Sequence, residues 1–214
     1  MPRRRPSPRR SPVPPRLRVL EALRSGLRTV NDLAARLGVT DNAIRGHLAA
    51  LEREGLVQAA GVVHSGVAGK PALEYEPTLD AEIALSRAYA PALQALVEAL
   101  AERLEPAALQ AALGDAGRRL APDGPRPPSL AAGAQVASNL LTGLGGSVRV
   151  DVGRGHADLR GDGCPLAAAV AKVPATCTIV EAMLEARSGR RVEQHCEHGD
   201  RPRCAFRMFA TDPR

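Results

Sequence analysis

The residues of this 214-residue chain best suited to do chemistry are its four cysteines, all within the last 51 residues. Twelve residues separate Cys164 from Cys177, eighteen separate Cys177 from Cys196, and seven separate Cys196 from Cys204. Cys164 precedes Pro165 at an expected helix start, and Cys177 falls in the first turn of the next expected helix. There the helix dipole and free N–H groups favour thiolate, the form that ligates metals. Cys196 and Cys204 flank the turn of VEQHCEHGDRPRC. Four thiolates could therefore converge between helices and hairpin. Structural zinc sites favour close C-x2-4-C pairs, which this chain lacks, whereas an iron–sulfur cluster accepts ligands from separate elements. On this chemistry cluster and zinc both stay open, with reversible thiol oxidation third. The bland reading is four small buried hydrophobes, against which the polar neighbours Glu197, His198 and Arg203 argue. His195 and His198 are more often solvated in such a hairpin, but either could ligate a metal. A thiol oxidoreductase is disfavoured by the lack of C-x-x-C, and no Ser/His/Asp or paired-carboxylate arrangement suggests another enzyme.

The elements that must position these sulfurs are legible as patterns. Ser129 is expected to cap a helix carrying Val136, Leu140 and Leu144. SVRVDV and HADLRG alternate as two strands, and RRVEQHC and CAFRMFA as a second hairpin. Between them lie the Cys164-Pro165 segment and a helix from about Thr176 to Ala186. Residues 129–210 thus read as an α+β sensor domain with a small antiparallel sheet. Upstream, APDGPRPPS reads as a Pro/Gly-rich linker. Residues 79–121 read as a helical connector, with Pro91 expected to start a new helix at its first position. Tyr89, Leu93, Leu96, Val97, Leu100 and Leu104 repeat there at helical spacing, as core or as a dimer seam.

Residues 17–78 show a different organisation. RLRVLEALRSG places Leu17, Leu20 and Leu23 on one helix face. TVNDLAARLG has Thr29 as N-cap, Val30, Leu33 and Leu37 as a buried stripe, and Gly38 past the end. VTDNAIRGHLAALEREG restarts at Thr40, buries Ile44, Leu48 and Leu51, and stops at Gly55. A strand, a glycine-rich tip and a second strand follow in LVQAAGVV, HSGVAGKP and ALEYEP, which makes a winged helix-turn-helix. The third helix turns Asn42, Arg45, Gly46 and Ala49 outward. Asn and Arg can make bidentate contacts to base edges, and Gly46 and Ala49 let the backbone come close to a major groove. His64 and Lys70 on the wing could reach phosphate or minor groove. His47, beside the stripe, is expected to be a partly buried helix residue. A double-stranded DNA operator and a homodimer on two half-sites are the expected partners.

Charge supports this organisation. Six arginines and no acid fall in residues 1–16, and the remaining 23 basic and 23 acidic residues balance. That Pro/Arg-rich stretch, MPRRRPSPRRSPVPPR, is expected to be an extended, disordered basic tail, solubilising or laid along phosphates. Only Phe206, Phe209, Tyr75 and Tyr89 are aromatic, too few for base stacking as a binding mode. Neither an apolar signal segment nor a run of 18 apolar residues occurs, so a cytoplasmic location is expected. In that compartment thiols are kept reduced.

LAARLGVTDNAIRGHLAALEREGLV, followed by GKPALEYEPT, resembles the DNA-binding domain of the ArsR/DeoR-type regulators grouped with SufR, iron–sulfur-responsive repressors. The matching residues are Leu33, Thr40, Ala43, Ile44, His47, Leu48, Leu51, Gly55, Leu56 and Val57, then Gly69, Pro71 and Tyr75. Relatives often carry a basic residue where this chain has Gly46. GCPLAAAV, VPATC and GDRPRCAFRM are similar to the carboxy-terminal part of the same group. The resemblance, over about residues 17–209, implies a dimeric repressor with an iron–sulfur cluster, [4Fe–4S], on Cys164, Cys177 and Cys204. Cys196 departs from the group's pattern and is a fourth ligand, a spectator or a resolving thiol. HCEHGDRPRCAF also looks like the closing hairpin of 4-vinyl-reductase-type domains, which are small-molecule-binding modules. The alternative is therefore a winged-helix regulator with a small-molecule or zinc-binding carboxy-terminal domain.

Overall fold

The computed structural model describes residues 13–63, 71–199 and 201–210. They form an α+β protein divided into two compact units, the boundary falling between Ser86 and Arg87. No helix among the described residues is long and apolar enough to cross a membrane.

The first unit runs α1 (Pro15–Arg24), α2 (Val30–Leu37), α3 (Asp41–Arg53), β1 (Val57–Val63), β2 (Ala72–Pro77) and α4 (Leu79–Leu85). Helix α1 opens on Pro15, where the missing N–H costs nothing. Residues 15 and 16, expected in the tail, are therefore helical, and residues 1–12 of that tail lie outside the described residues. Thr29 caps α2 by accepting the Asp32 N–H, and Thr40 caps α3 by accepting the Ala43 N–H, at 3.2 and 3.3 Å. Between these helices Gly38 adopts a left-handed conformation (φ 69°), which lets α2 stop abruptly and α3 leave at an angle. Val19, Leu20, Leu23, Leu33, Ile44, Leu48 and Leu51 form the shared core. On α1 the buried residues are Val19, Leu20, Ala22 and Leu23, with Leu17 only half-buried. β1 and β2 pair antiparallel with a bulge between Ala59 and Gly61. The Tyr75 N–H donates to the Arg28 carbonyl at 2.9 Å, which ties the wing to the α1–α2 loop.

The second unit contains α5 (Tyr89–Ala101), α6 (Pro106–Leu120), α7 (Leu130–Gly143), β3 (Val148–Val152), β4 (His156–Gly161), α8 (Ala167–Val170), a 3-10 turn (Pro174–Thr176), α9 (Cys177–Ser188), β5 (Val192–Gln194) and β6 (Ala205–Phe209). Its antiparallel sheet has the order β3-β4-β6-β5, so the two expected hairpins join through β4 and β6. Sheet, α7 and α9 enclose Ala137, Leu141, Leu159, Val180, Met183, Leu184, Phe206 and Met208. A second cluster of Val97, Leu109, Leu113 and Ile179 lies between α5, α6 and α9.

Several sequence expectations change here. The stretch expected as a connector is divided, with α4 closing the first unit and α5 and α6 built into the second. The break falls at Ser86 rather than at Pro91, which sits at the third position of α5. The first-turn N–H groups lack intrahelical acceptors, so proline is tolerated there. The apolar stripe splits: Val97 is buried, while Tyr89 and Leu96 are 60% and 58% exposed. Ser129 does cap α7, accepting the Ala132 N–H. The buried face of α7, however, is Gly133, Ala134, Ala137, Ser138 and Leu141, not Val136, Leu140 and Leu144. Small residues permit the closer approach to sheet and α9, and that outweighs the larger side chains on the adjacent face.

Helix α6 comes very close to α9 at Gly117. A Cβ built on Gly117 would stand 2.1 Å from the Ile179 carbonyl oxygen and 3.0 Å from the Ala182 methyl. Backbone cannot yield as a side chain can, so Gly117→Ala should destabilise the protein by about 1–3 kcal/mol. Gly46→Ala, in open space on α3, should not destabilise it. Urea denaturation of both variants measures the difference.

Candidate functional site

Two groups of residues are candidates, one in each unit. In the first, burial of Ile44, Leu48 and Leu51 against α1 and α2 leaves Asn42, Arg45, Gly46 and Ala49 exposed along one side of α3. Nothing lies within 4 Å of a Cβ built on Gly46, so the backbone there is open to a ligand. His47 is half-buried, as its place beside the stripe requires. His64 and Lys70, the wing residues expected to meet DNA, lie outside the described residues.

In the second unit the four cysteines come together from separate places: Cys164 before α8, Cys177 at the first position of α9, Cys196 just after β5 and Cys204 just before β6. Cys177 and Cys204 are buried, Cys164 and Cys196 partly so. Their side chains come within interaction range of one another in the order Cys164, Cys204, Cys196, Cys177. Backbone contacts pin the members. The Cys204 N–H donates to the Gly163 carbonyl at 3.2 Å, and the Cys204 carbonyl accepts the Gly161 N–H at 2.8 Å. The Ala205 N–H reaches the Cys196 sulfur at 3.4 Å, so a sulfur stands where a ladder carbonyl would.

Charge alternates along the series. The Cys204 thiol donates to Cys164, holding that thiol down at about 7. Cys196, receiving from both Cys177 and Cys204, is held down to about 3. The two donors are pushed up correspondingly, first by those hydrogen bonds and then by burial.

Sequence reasoning left two histidines as possible ligands, and the structure separates them. His198 Nε2 lies 3.5 Å from Cys177 Sγ, while His195 faces Glu193 at 3.6 Å and is largely exposed. Glu181 was missed. One turn after Cys177, it is half-buried and accepts the Gln194 backbone N–H at 3.1 Å, and burial raises its carboxyl above the ordinary range. Its i+4 spacing from Cys177 was the available signal. Among the described residues no group of three or more His, Cys, Asp or Glu side chains is disposed to hold a metal ion.

Residues 14–59 match the family model described as bacterial regulatory protein, arsR family. The first unit carries an arsR-type helix-turn-helix. That match supports a DNA-binding, transcription-regulating role for the first unit, whose helix-turn-helix is the α2–α3 pair. No curated protein matches the chain. Arg45→Ala should weaken specific DNA binding by about 1–3 kcal/mol and relax one base position. Titrations against duplexes of systematically varied sequence measure this, and equal weakening on every duplex would make Arg45 a phosphate contact instead.

Proposed function

We propose that this regulator is a homodimeric repressor whose second unit senses iron–sulfur cluster or redox status through a centre held by Cys164, Cys177, Cys196 and Cys204. The observation that carries the reading is the meeting of four cysteines from four places in the fold, two of them favoured as thiolates. Thiolate is the ligating form, so Cys164 and Cys196 offer ligands directly, and Cys177 and Cys204 would release their protons on ligation. An iron–sulfur cluster, [4Fe–4S] in this reading, supplies a centre whose persistence depends on iron, sulfide and oxidants. Cys177 and the Cys196–Cys204 hairpin would be braced together by shared ligation. The signal would be expressed as a difference in DNA affinity between the two states, on the order of 1–3 kcal/mol.

The donor set suits soft metal chemistry, and thiolates serve zinc as readily as iron. The second reading is therefore a zinc-holding or small-molecule-binding domain.

Protein purified without oxygen should carry iron and acid-labile sulfide and absorb broadly in the visible. Cys164→Ser, Cys177→Ser and Cys204→Ser should each lose both, with far-ultraviolet circular dichroism confirming the fold. Unchanged iron in all three rejects the ligand assignment, and zinc in colourless protein selects the second reading.

A further inference from the structure

At the end of α9 remote from the cysteines, a cavity of about 580 Å³ is lined by Arg126, Glu185, Gly189, Arg190, Arg191 and Phe209. It is open to solvent and mainly polar, not an enclosed apolar pocket, and its lining is unusual in charge. Three guanidiniums face one carboxylate, and that carboxylate is engaged, since Glu185 Oε1 accepts the Val192 N–H at 2.9 Å. Arg191 pairs with Glu193 and lies over the Phe209 ring, 5.0 Å from its centroid. Arg126 and Arg190 have no ion pair among the described residues.

These arginines are positioned by the fold. Arg190 lies against Gly133, where a Cβ would come within 3.3 Å of its Nε and 3.2 Å of Met208 Sδ. Its Nη1 donates to the Ala210 carbonyl, and its buried Nε has no hydrogen-bond partner among the described residues. Arg126 rests on Gly189, the left-handed cap of α9 (φ 65°), where any side chain would meet Arg126 Cδ at 3.1 Å. Arg187 Nη1 donates to the Pro125 carbonyl at 2.8 Å, clamping the segment that carries Arg126 to the helix. Basic residues at a helix carboxy terminus complement its dipole. That accounts for Arg187 and Arg190, but not for Arg126, brought in from the segment between α6 and α7. Like charges gathered in a concave site repel, and a bound anion relieves the repulsion.

The geometry points to a binding site for a small phosphate-bearing metabolite in this cavity, its phosphate held between Arg126 and Arg190 and its body against the Arg191–Phe209 wall. Guanidinium presents a planar fork of donors matched to phosphate oxygens. Arg126 can present that fork, whereas Arg190, with Nη1 on the Ala210 carbonyl and Nε buried, has Nη2 left to donate. The site does not depend on the cysteine reading. The twelve residues of α9 place it roughly 17 Å from Cys177 along the helix.

Calorimetric titration of the full chain with pyrophosphate at constant ionic strength tests the assignment. One saturable site is expected. Arg126→Glu and Arg190→Gln should weaken it by at least about tenfold, while Arg36→Glu in the first unit should leave it unchanged. If Arg190→Gln fails to fold, Arg126→Gln, altering an exposed side chain, carries the test. Absence of saturable binding by the unmodified chain, or equal affinity in the arginine variants, overturns the proposal. So does loss of binding to random-sequence duplex DNA in Arg126→Glu when pyrophosphate does not bind, because the arginines would then serve nucleic acid. Iron content and specific DNA binding, measured on the same variants, keep failure here separate from failure of the sensing assignment.

Discussion

Because α9 is packed on two sides at once, against the sheet and α7 through Val180, Met183 and Leu184 and against α5 and α6 through Ile179, it has little freedom to shift. Each such side chain, fully buried, contributes about 1.5–3 kcal/mol. The price of that double burial is Gly117, the position at which α6 must come close. Two carboxylates on the remaining face then fix β5. Glu181 and Glu185 accept the N–H groups of Gln194 and Val192 on β5, the edge strand of the sheet, at 3.1 and 2.9 Å. Leaving a buried backbone N–H unsatisfied costs about 1–3 kcal/mol, so the register of β5 against the helix is strongly set. Cys177 at the start of α9 and Cys196 at the end of β5 are consequently placed by the same interaction.

The cysteines are poorly described as small hydrophobes that happen to be buried. Cys204 lies in the core beside Phe206 and Met208, as such a residue would, but Cys164 and Cys196 keep partial access to solvent. Sulfurs that served only to fill space would have no reason to gather from four places in the fold, one of them also accepting a backbone N–H. The arrangement stabilises negative charge on alternate members, and negative charge on sulfur is what both metal ligation and thiol oxidation require. The same pattern therefore serves more than one chemistry, and composition of the isolated protein, not fold, decides between them.

How legible this was in the sequence depended on the range of the forces involved. Thr29, Gly38 and Thr40 announce the helix-turn-helix because capping is a local event, complete within four residues, and the stripe of Ile44, Leu48 and Leu51 follows from period alone. The strands β3, β4 and β6 were readable by alternation. Local signals failed where tertiary packing chose between faces. On α7, Val136, Leu140 and Leu144 form the more obvious apolar row, yet the row of Ala134, Ala137 and Leu141 is buried, because closeness of approach decided it. The same limit hid the division at Ser86, since a proline is a visible helix signal and a change of packing partner is not. For the candidate site, the cysteines and their convergence were readable from residue type and position. The distinction between His195 and His198, and the part played by Glu181, required the fold.

The first unit distributes its charge in a way that bears on recognition. Arg16, Arg24 and Arg28 are engaged with Glu54, Glu82 and Glu76. Exposed pairs of this kind contribute little to stability, but each neutralises a cation that would otherwise attract phosphate anywhere on the surface. Arg45 has no carboxylate partner among the described residues, nor do Arg18 and Arg36. On α3, the uncompensated charge thus stands on the side where Gly46 and Ala49 give close access to the backbone. In the DNA-binding reading, a helix presenting Arg45 and Asn42 beside small residues would approach base edges before phosphates hold it elsewhere. Sequence preference, in that reading, would come as much from the arginines paired with carboxylates as from Arg45.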